Sequence, residues 1–200
     1  MDLMRELSKS QVVAIVDAVW GDCGKGKLTD YFASLENGHG ERLFSTVYRP
    51  NGGPNTGATV HYQGEKVVFH LVPAAALVPN LDCLIGKMVS FDPFVFFSEL
   101  RDIQRFNPNP QIYIDSEAHV IMPWHIAVDR LREVVSEGSI GTTGRGVGPC
   151  METRFSRKGF VTVDMLDNPQ TLEAAVEEAV RRFEPEINDL MGRFFISPEV

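Results

Sequence analysis

Trp20-Gly21-Asp22-Cys23-Gly24-Lys25-Gly26-Lys27 follows an apolar run, Val12 to Val19, and opens an amphipathic stretch. An apolar strand that ends in glycines and lysines at a helix start is a phosphate cradle. Backbone N–H groups and the positive helix end favour an anion, and the lysines neutralise a polyphosphate. Gly21-x-x-x-x-Gly26-Lys27 meets most of the Walker A spacing, but Leu28 stands where that motif has the Ser or Thr that holds Mg²⁺. The metal then needs another oxygen, and Asp22, inside the loop, is the candidate. The plainer reading of the same residues is an ordinary glycine-rich turn. Beyond the loop, Leu28, Tyr31, Phe32 and Leu35 fall at i, i+3, i+4 and i+7, which predicts one buried helical stripe. Asn37-Gly38 stops it. Strand, loop and helix form the first unit of an α/β nucleotide-binding sheet.

Composition sets the outer bounds. Two hundred residues with 44% apolar content can build a core. A formal charge of −8 argues against a nucleic-acid or membrane-surface protein, which would show a basic excess. The three cysteines, Cys23, Cys83 and Cys150, are odd in number and lack CxxC spacing, so they read as free thiols of a reducing, cytoplasmic compartment. The N-terminus shows no signal-peptide core, and no apolar stretch approaches membrane-spanning length.

Further along, Phe44 to Tyr48 reads as a short strand, and Ala58 to Tyr62 with Lys66 to Leu71 as a hairpin turning at Gln63-Gly64-Glu65. Asp92-Pro93 starts a helix that runs to about Phe106, where Asn107-Pro108-Asn109-Pro110 ends it. Ile112 to Ile114 is a short strand. Pro123 opens a helix whose Trp124, Val128, Leu131 and Val135 form a stripe. A short helix spans Cys150 to Ser156, and a last one runs from about Thr171 to Phe183, with Pro185 breaking the helical pattern beyond it. The whole reads as a mixed, largely parallel α/β sheet flanked by helices.

Two more loops carry chemistry. Pro50-Asn51-Gly52-Gly53-Pro54-Asn55-Thr56-Gly57 is too rich in glycine and proline for a packed element and offers backbone amides and the Asn55 amide to a ligand. Gly138 to Pro149 (Gly-Ser-Ile-Gly-Thr-Thr-Gly-Arg-Gly-Val-Gly-Pro) sets the hydroxyls of Thr142 and Thr143 beside Arg145, a grouping suited to a phosphate or carboxylate. A flexible linker is the alternative for either loop taken alone.

In this order, Trp-Gly-Asp-x-Gly-Lys-Gly-Lys, Gly-Gly-x-Asn-x-Gly-x-Thr and Ile-Gly-Thr-Thr-Gly-Arg-Gly-Val-Gly-Pro resemble adenylosuccinate synthetase. Glu65 to Pro73 and Arg157-Lys158-Gly159 follow the same pattern, and the similarity extends to about Asp167. The resemblance implies a ligase that joins inosine monophosphate (IMP) and L-aspartate at the expense of GTP, with Mg²⁺. It implies that Asp22 is general base and metal ligand. Gly21, Asp22, Cys23, Gly24, Lys25, Gly26 and Lys27 would form the GTP phosphate loop, with Lys25 also catalytic, and Gly57 and Thr59 would join the GTP site. The Gly57 carbonyl would bind Mg²⁺. Asn55, Thr56, Gly57 and Thr143, together with Asp22, would contact IMP. Arg157 would reach the nucleotide phosphate of a neighbouring subunit, which implies a homodimer. For Arg157 and Lys158 the plain alternative is a solvated helix C-terminus.

The chain also departs from that pattern. Ala58, in Asn55-Thr-Gly-Ala-Thr59, stands where the family has the catalytic His of Asn-Ala-Gly-His-Thr. Three places along an extended chain, His61 faces the opposite side. Cys23 replaces a Glu of the phosphate loop and Val19 a Gln. Neither the guanine-recognition motif nor the aspartate loop of the family's later half is recognisable after Asp167, so the chain reads as the N-terminal part of such a domain. Met191 to Val200 carries no terminating signal, which leaves a fragment and a genuinely shortened protein both open. A non-catalytic nucleotide-binding paralogue, or a relative using another purine nucleotide, is the alternative function.

Overall fold

A parallel strand needs partners to complete its hydrogen bonds, and the chain supplies them to Asp82–Phe91 rather than to its first apolar run. The computed structural model describes residues 6–7, 9–18, 23–136 and 141–196. In chain order these form α1 (Lys25–Ala33), β1 (Thr46–Gly52), β2 (Ala58–Tyr62), β3 (Glu65–Phe69), a 3₁₀ turn at Ala74–Leu77 and β4 (Asp82–Phe91). Next come α2 (Pro93–Gln104), β5 (Gln111–Ile114), β6 (His119–Val120), α3 (Pro123–Val135) and α4 (Val147–Phe155). A second 3₁₀ turn, Thr162–Leu166, precedes α5 (Pro169–Ile196). The main sheet has the order β1-β4-β5, with β6 also on β4. β5 pairs with β4 in parallel from Asp82↔Gln111 to Ile85↔Ile114, and β6 does so at Ser90↔His119 and Phe91↔Val120. The expected mixed, mainly parallel α/β architecture is the one observed. Among the described residues no helix is long and apolar enough to cross a membrane.

The chain divides into two compact units. One comprises Met1–Pro50, Thr56–Gly86 and Phe94–Ile114; the other comprises Asn51–Asn55, Lys87–Pro93 and Asp115–Val200. In the first, Phe69, Leu71, Leu77, Leu81, Ile85 and Ile103 are fully buried. Its β2–β3 hairpin puts Ala58, Val60, Val67 and Phe69 on one face and His61, Lys66 and Val68 on the other. Gln63 and Gly64 alone make the turn, with φ of 49° and 84°, while Glu65 already pairs with Tyr62. Two left-handed residues match the twist of the flanking strands. In the second unit, Val120, Trp124, Phe160 and Ala179 form a buried cluster joined by Val176, Phe183 and Ile187 of α5. Phe183 stacks on Trp124, ring centroids 5.9 Å apart.

Several expectations are corrected. Residues 12–18 lie outside any strand, and Val12 and Val16 are 84% and 81% exposed. An apolar run becomes a buried strand only with neighbours on its edges, and among the described residues none pairs with it. The α1 stripe is not buried either: Leu28 and Tyr31 are exposed, and Ala33 is the helix's buried residue. The strand expected at Phe44 to Tyr48 begins at Thr46 and runs to Gly52. Pro185 lies inside α5 without ending it. An interior proline costs about 3 kcal/mol. Burying each apolar side chain returns up to about 1.5–3 kcal/mol, and Phe183 and Ile187 pack on either side of Pro185. Packing outweighs the lost hydrogen bond.

Candidate functional site

In the first unit, a nine-residue helix starts at Lys25, inside the stretch from Gly21 to Lys27 that the sequence marks as a candidate phosphate loop. Gly21 and Asp22 lie outside the described residues, so nothing is assigned to them beyond the sequence. Cys23 is exposed. Gly24 caps α1 with φ of 78°, a left-handed conformation that favours glycine. Lys25 is ion-paired with Asp17, so this cation is already partnered. Lys27 is exposed. Gly26 lies directly on Ala58: a Cβ at Gly26 would come 2.4 Å from the Ala58 Cβ. Around this contact a cleft of about 190 Å³ is lined by Gly24, Gly26, Lys27, Gly57, Ala58 and Thr59. Lys27 lines this cleft, and the N-terminal end of α1, which carries partial positive charge, borders it.

The wall carrying Thr56 and Gly57 is tied down from behind. His70 Nδ1 lies 2.7 Å from the Thr56 carbonyl oxygen. Arg49 donates from Nη2 to Thr56 Oγ1 at 3.0 Å, and from Nη1 to the carbonyls of His70 and Leu71 at 2.8 and 2.9 Å. The Glu99 carboxylate accepts three successive backbone N–H groups, those of His70, Leu71 and Val72. Burial pushes the Glu99 carboxyl up, and those three N–H groups pull it back. Burial lowers the Arg49 guanidinium while Glu99 opposes that shift. Sequence reasoning missed Arg49, His70 and Glu99. The signal was present on α2, where Glu99 lies between Phe96 and Ile103 on the buried face. A carboxylate in an apolar stripe needs a partner.

In the second unit, Gly53 and Pro54 are buried and Asn55 is exposed. A Cβ on Gly53 would lie 2.9 Å from Val147 Cγ2, so this turn packs on the first residue of α4. Residues 137–140, among them Gly138, Ser139 and Ile140, lie outside the described residues. From Gly141 the loop is held by α3: Gly146 N–H donates to Asp129 at 2.8 Å, and Arg130 Nε donates to the Gly144 carbonyl at 3.1 Å. Thr142, Thr143 and Arg145 remain exposed. The loop is shorter than the sequence suggested, because Val147, Gly148 and Pro149 already belong to α4. Arg157 follows α4 with φ of 58°, a conformation rare outside glycine and asparagine. Its N–H donates to the Arg154 carbonyl and that of Lys158 to Thr153, closing the helix end.

His125, in the second unit, is fully buried. His125 Nδ1 accepts the Met122 N–H at 3.1 Å, and Nε2 faces Thr153 Oγ1 at 3.3 Å. Burial lowers His125 to about 4. Burial raises Cys83 to about 12 and Cys150 to about 11, leaving both as unreactive thiols.

The sequence pattern of the family described as adenylosuccinate synthetase matches residues 14–199. The chain belongs to that family. An adenylosuccinate synthetase of Anaeromyxobacter sp. (strain Fw109-5) is 40% identical over 192 residues, covering 94% of this chain and 42% of the relative. One of Desulforudis audaxviator (strain MP104C) is 39% identical over 189 residues, with 93% and 41% covered. The fully ligated adenylosuccinate synthetase of Plasmodium falciparum superposes with a TM-score of 0.70 at 24% identity, covering 88% of this chain and 42% of that one. This last likeness shows the fold. The chain therefore spans about two-fifths of the length of the adenylosuccinate synthetases it matches.

The contact of Gly26 with Ala58 yields a prediction. Gly26→Ala forces loop and strand apart, because neither colliding atom is the end of a flexible side chain. The expected cost is about 1–3 kcal/mol, the usual range for overpacking, with loss of anion binding in the cleft. Urea unfolding of both forms measures the first. Sulfate- or nucleotide-dependent stabilisation measures the second, and an unchanged variant would show that the contact is slack.

Proposed function

We propose that this chain supplies the phosphate-loop part of a cytoplasmic purine-biosynthetic synthetase that joins IMP and L-aspartate using GTP. The observation that carries the proposal is the cleft in which Lys27 and the α1 N-terminus meet Gly57, Ala58 and Thr59. In this reading the loop from Gly21 to Lys27 cradles the GTP phosphates. Asp22 takes the proton from the purine N1, so that the 6-oxygen can accept the γ-phosphoryl group before the aspartate amine displaces phosphate. Catalysis of this kind is mostly positioning and charge stabilisation. Asn55, Thr56 and Thr143 orient IMP, and Arg157 offers its planar guanidinium to the nucleotide phosphate of a partner subunit in a homodimer.

Magnesium fits this donor set. Among the described residues no three His, Cys, Asp or Glu side chains gather as a metal cage. Mg²⁺ bound mainly through substrate phosphates needs only one or two protein oxygens, here the Gly57 carbonyl and Asp22. When bound it would neutralise charge on the phosphates.

A second reading rests on Ala58. A methyl group cannot give or take a proton, and losing general acid–base assistance typically costs ~10²–10⁴ in rate. A nucleotide-binding protein with little or no turnover is therefore the alternative. A synthetase for another purine nucleotide is less expected, because Asp22 is retained.

One experiment tests the binding step on which both rest. At tenfold excess over Kd, MgGTP is expected to stabilise the protein by about 1.4 kcal/mol, or about 3–6 °C in Tm. Lys27→Ala is expected to remove that shift. Adenylosuccinate formation from IMP, aspartate and GTP then separates the synthetase from the binding protein. If MgGTP leaves Tm unchanged, or Lys27→Ala responds like the parent chain, the phosphate-loop reading fails.

A further inference from the structure

We infer that His70 is a positioning residue of the nucleotide cleft: through its Nδ1–H it holds the Thr56 carbonyl and so fixes the Gly57 wall. This inference rests on the proposal that the cleft takes GTP phosphates, and it names a residue that proposal does not use.

The Thr56 oxygen can only accept a hydrogen bond, so at 2.7 Å the proton sits on His70 Nδ1. The Thr56–Gly57 peptide is planar and trans, and its N–H points opposite to its C=O. Fixing the Thr56 oxygen therefore fixes the direction of the Gly57 N–H as well. Gly57 follows in the chain and lines the cleft beside Ala58 and Thr59. The imidazole edge also lies against Gly57, where a Cβ would meet His70 Cε1 at 3.8 Å. Glycine there leaves the wall free to turn unless something holds it.

His70 can hold it because its own backbone does not move. Its N–H is bound by Glu99 and its carbonyl by Arg49. Arg49 also grips Thr56 by its hydroxyl. One buried carboxylate and one guanidinium thus brace a single imidazole, which in turn orients one peptide group. The imidazole does not line the cleft, so its role is orientation rather than contact with the phosphates. Both the neutral Nδ1–H form and the imidazolium donate from Nδ1. The hold therefore needs only the Nδ1–H, which either form supplies.

His70→Ala and His70→Asn separate this role from others. Asn places an N–H₂ donor the same number of bonds from Cα as Nδ1. By hydrogen–deuterium exchange, His70→Ala is expected to speed exchange at residues 56–60 by about five- to tenfold, as loss of one net hydrogen bond allows. His70→Asn should restore most of the protection. MgGTP affinity, read by calorimetry on the same proteins, should fall about tenfold in the Ala variant and recover in the Asn variant. Unchanged exchange in His70→Ala overturns the inference whatever the nucleotide does. So does an Asn variant that is protected and binds no better than Ala, because a donor at that reach would then not be what holds the wall. If exchange responds as expected but the parent chain binds no MgGTP, the brace survives and the GTP reading beneath it is what fails.

Discussion

Glu99→Ala is expected to destabilise the protein by about 3–5 kcal/mol, the usual cost of removing one partner from a buried charged network. The carboxylate is 5% exposed and accepts the N–H groups of three consecutive residues, His70, Leu71 and Val72. Without it those donors lose their acceptor in a region where Leu71 and Val72 are buried, and each orphan costs about 1–3 kcal/mol. Arg49 loses the charge that opposes its own desolvation. Glu99→Gln keeps one oxygen and no charge, so its cost should be smaller. Urea unfolding followed by circular dichroism measures both, against a total stability of about 5–15 kcal/mol for a natural domain. A loss below about 1 kcal/mol for Glu99→Ala would mean that water replaces the carboxylate and that the three N–H groups are not sealed.

The same cluster shows where sequence was informative and where it was not. The helix that carries Glu99 was predicted from Asp92-Pro93 and is observed as Pro93–Gln104. Its partner segment is expected as the end of a hairpin strand, Lys66 to Leu71, but that strand ends at Phe69, which leaves the N–H groups of His70, Leu71 and Val72 needing an acceptor that nothing local announces. The central strand β4 was hidden for a related reason. No element is assigned from sequence to residues 82–91, whose apolar pattern Gly86-Lys87 interrupts, and a Cβ at Gly86 would lie 2.3 Å from the Tyr48 hydroxyl. The glycine is there because another side chain crosses the strand. Conversely, Val12 to Val19 looks like a buried strand by composition, but residues 12–18 form none, because sheet formation depends on edges contributed from elsewhere. The helix after the glycine–lysine stretch was legible because its signals are local, and it is observed as Lys25–Ala33. Turn chemistry was legible likewise at Gln63-Gly64. What could not be read were the braces, Arg49, His70 and Glu99, brought together from distant positions in the chain.

Lowering the pH from 7 to 4 is expected to remove about 3 kcal/mol of stability through His125 alone. The imidazole is fully buried, and burial sets its folded pKa at about 4, with neighbouring His119 adding to the depression. The ordinary histidine value is 6.5, so the unfolded chain takes up this proton first. The stabilisation is complete above about pH 6.5 and drains away as the pH falls towards 4, at about 1.36 kcal/mol per pH unit. Protonation also breaks a specific contact. Nδ1 accepts the Met122 N–H at the start of α3, and an imidazolium cannot accept. His119, lowered by burial and by Arg154, acts in the same direction. Asp30 and Glu99 act in the opposite one, because burial raises their carboxyls and the folded chain protonates them first. A raw pH profile therefore mixes contributions of both signs. Comparison with His125→Gln isolates the one of interest. Gln is neutral throughout and keeps a donor of similar reach towards Thr153. The variant should be less stable at pH 7, but its stability should fall less steeply between pH 6.5 and 4, by close to one proton's worth of slope. Equal slopes in parent and variant would show that His125 titrates normally, and hence that the end of α3 opens to water before the rest of the unit unfolds.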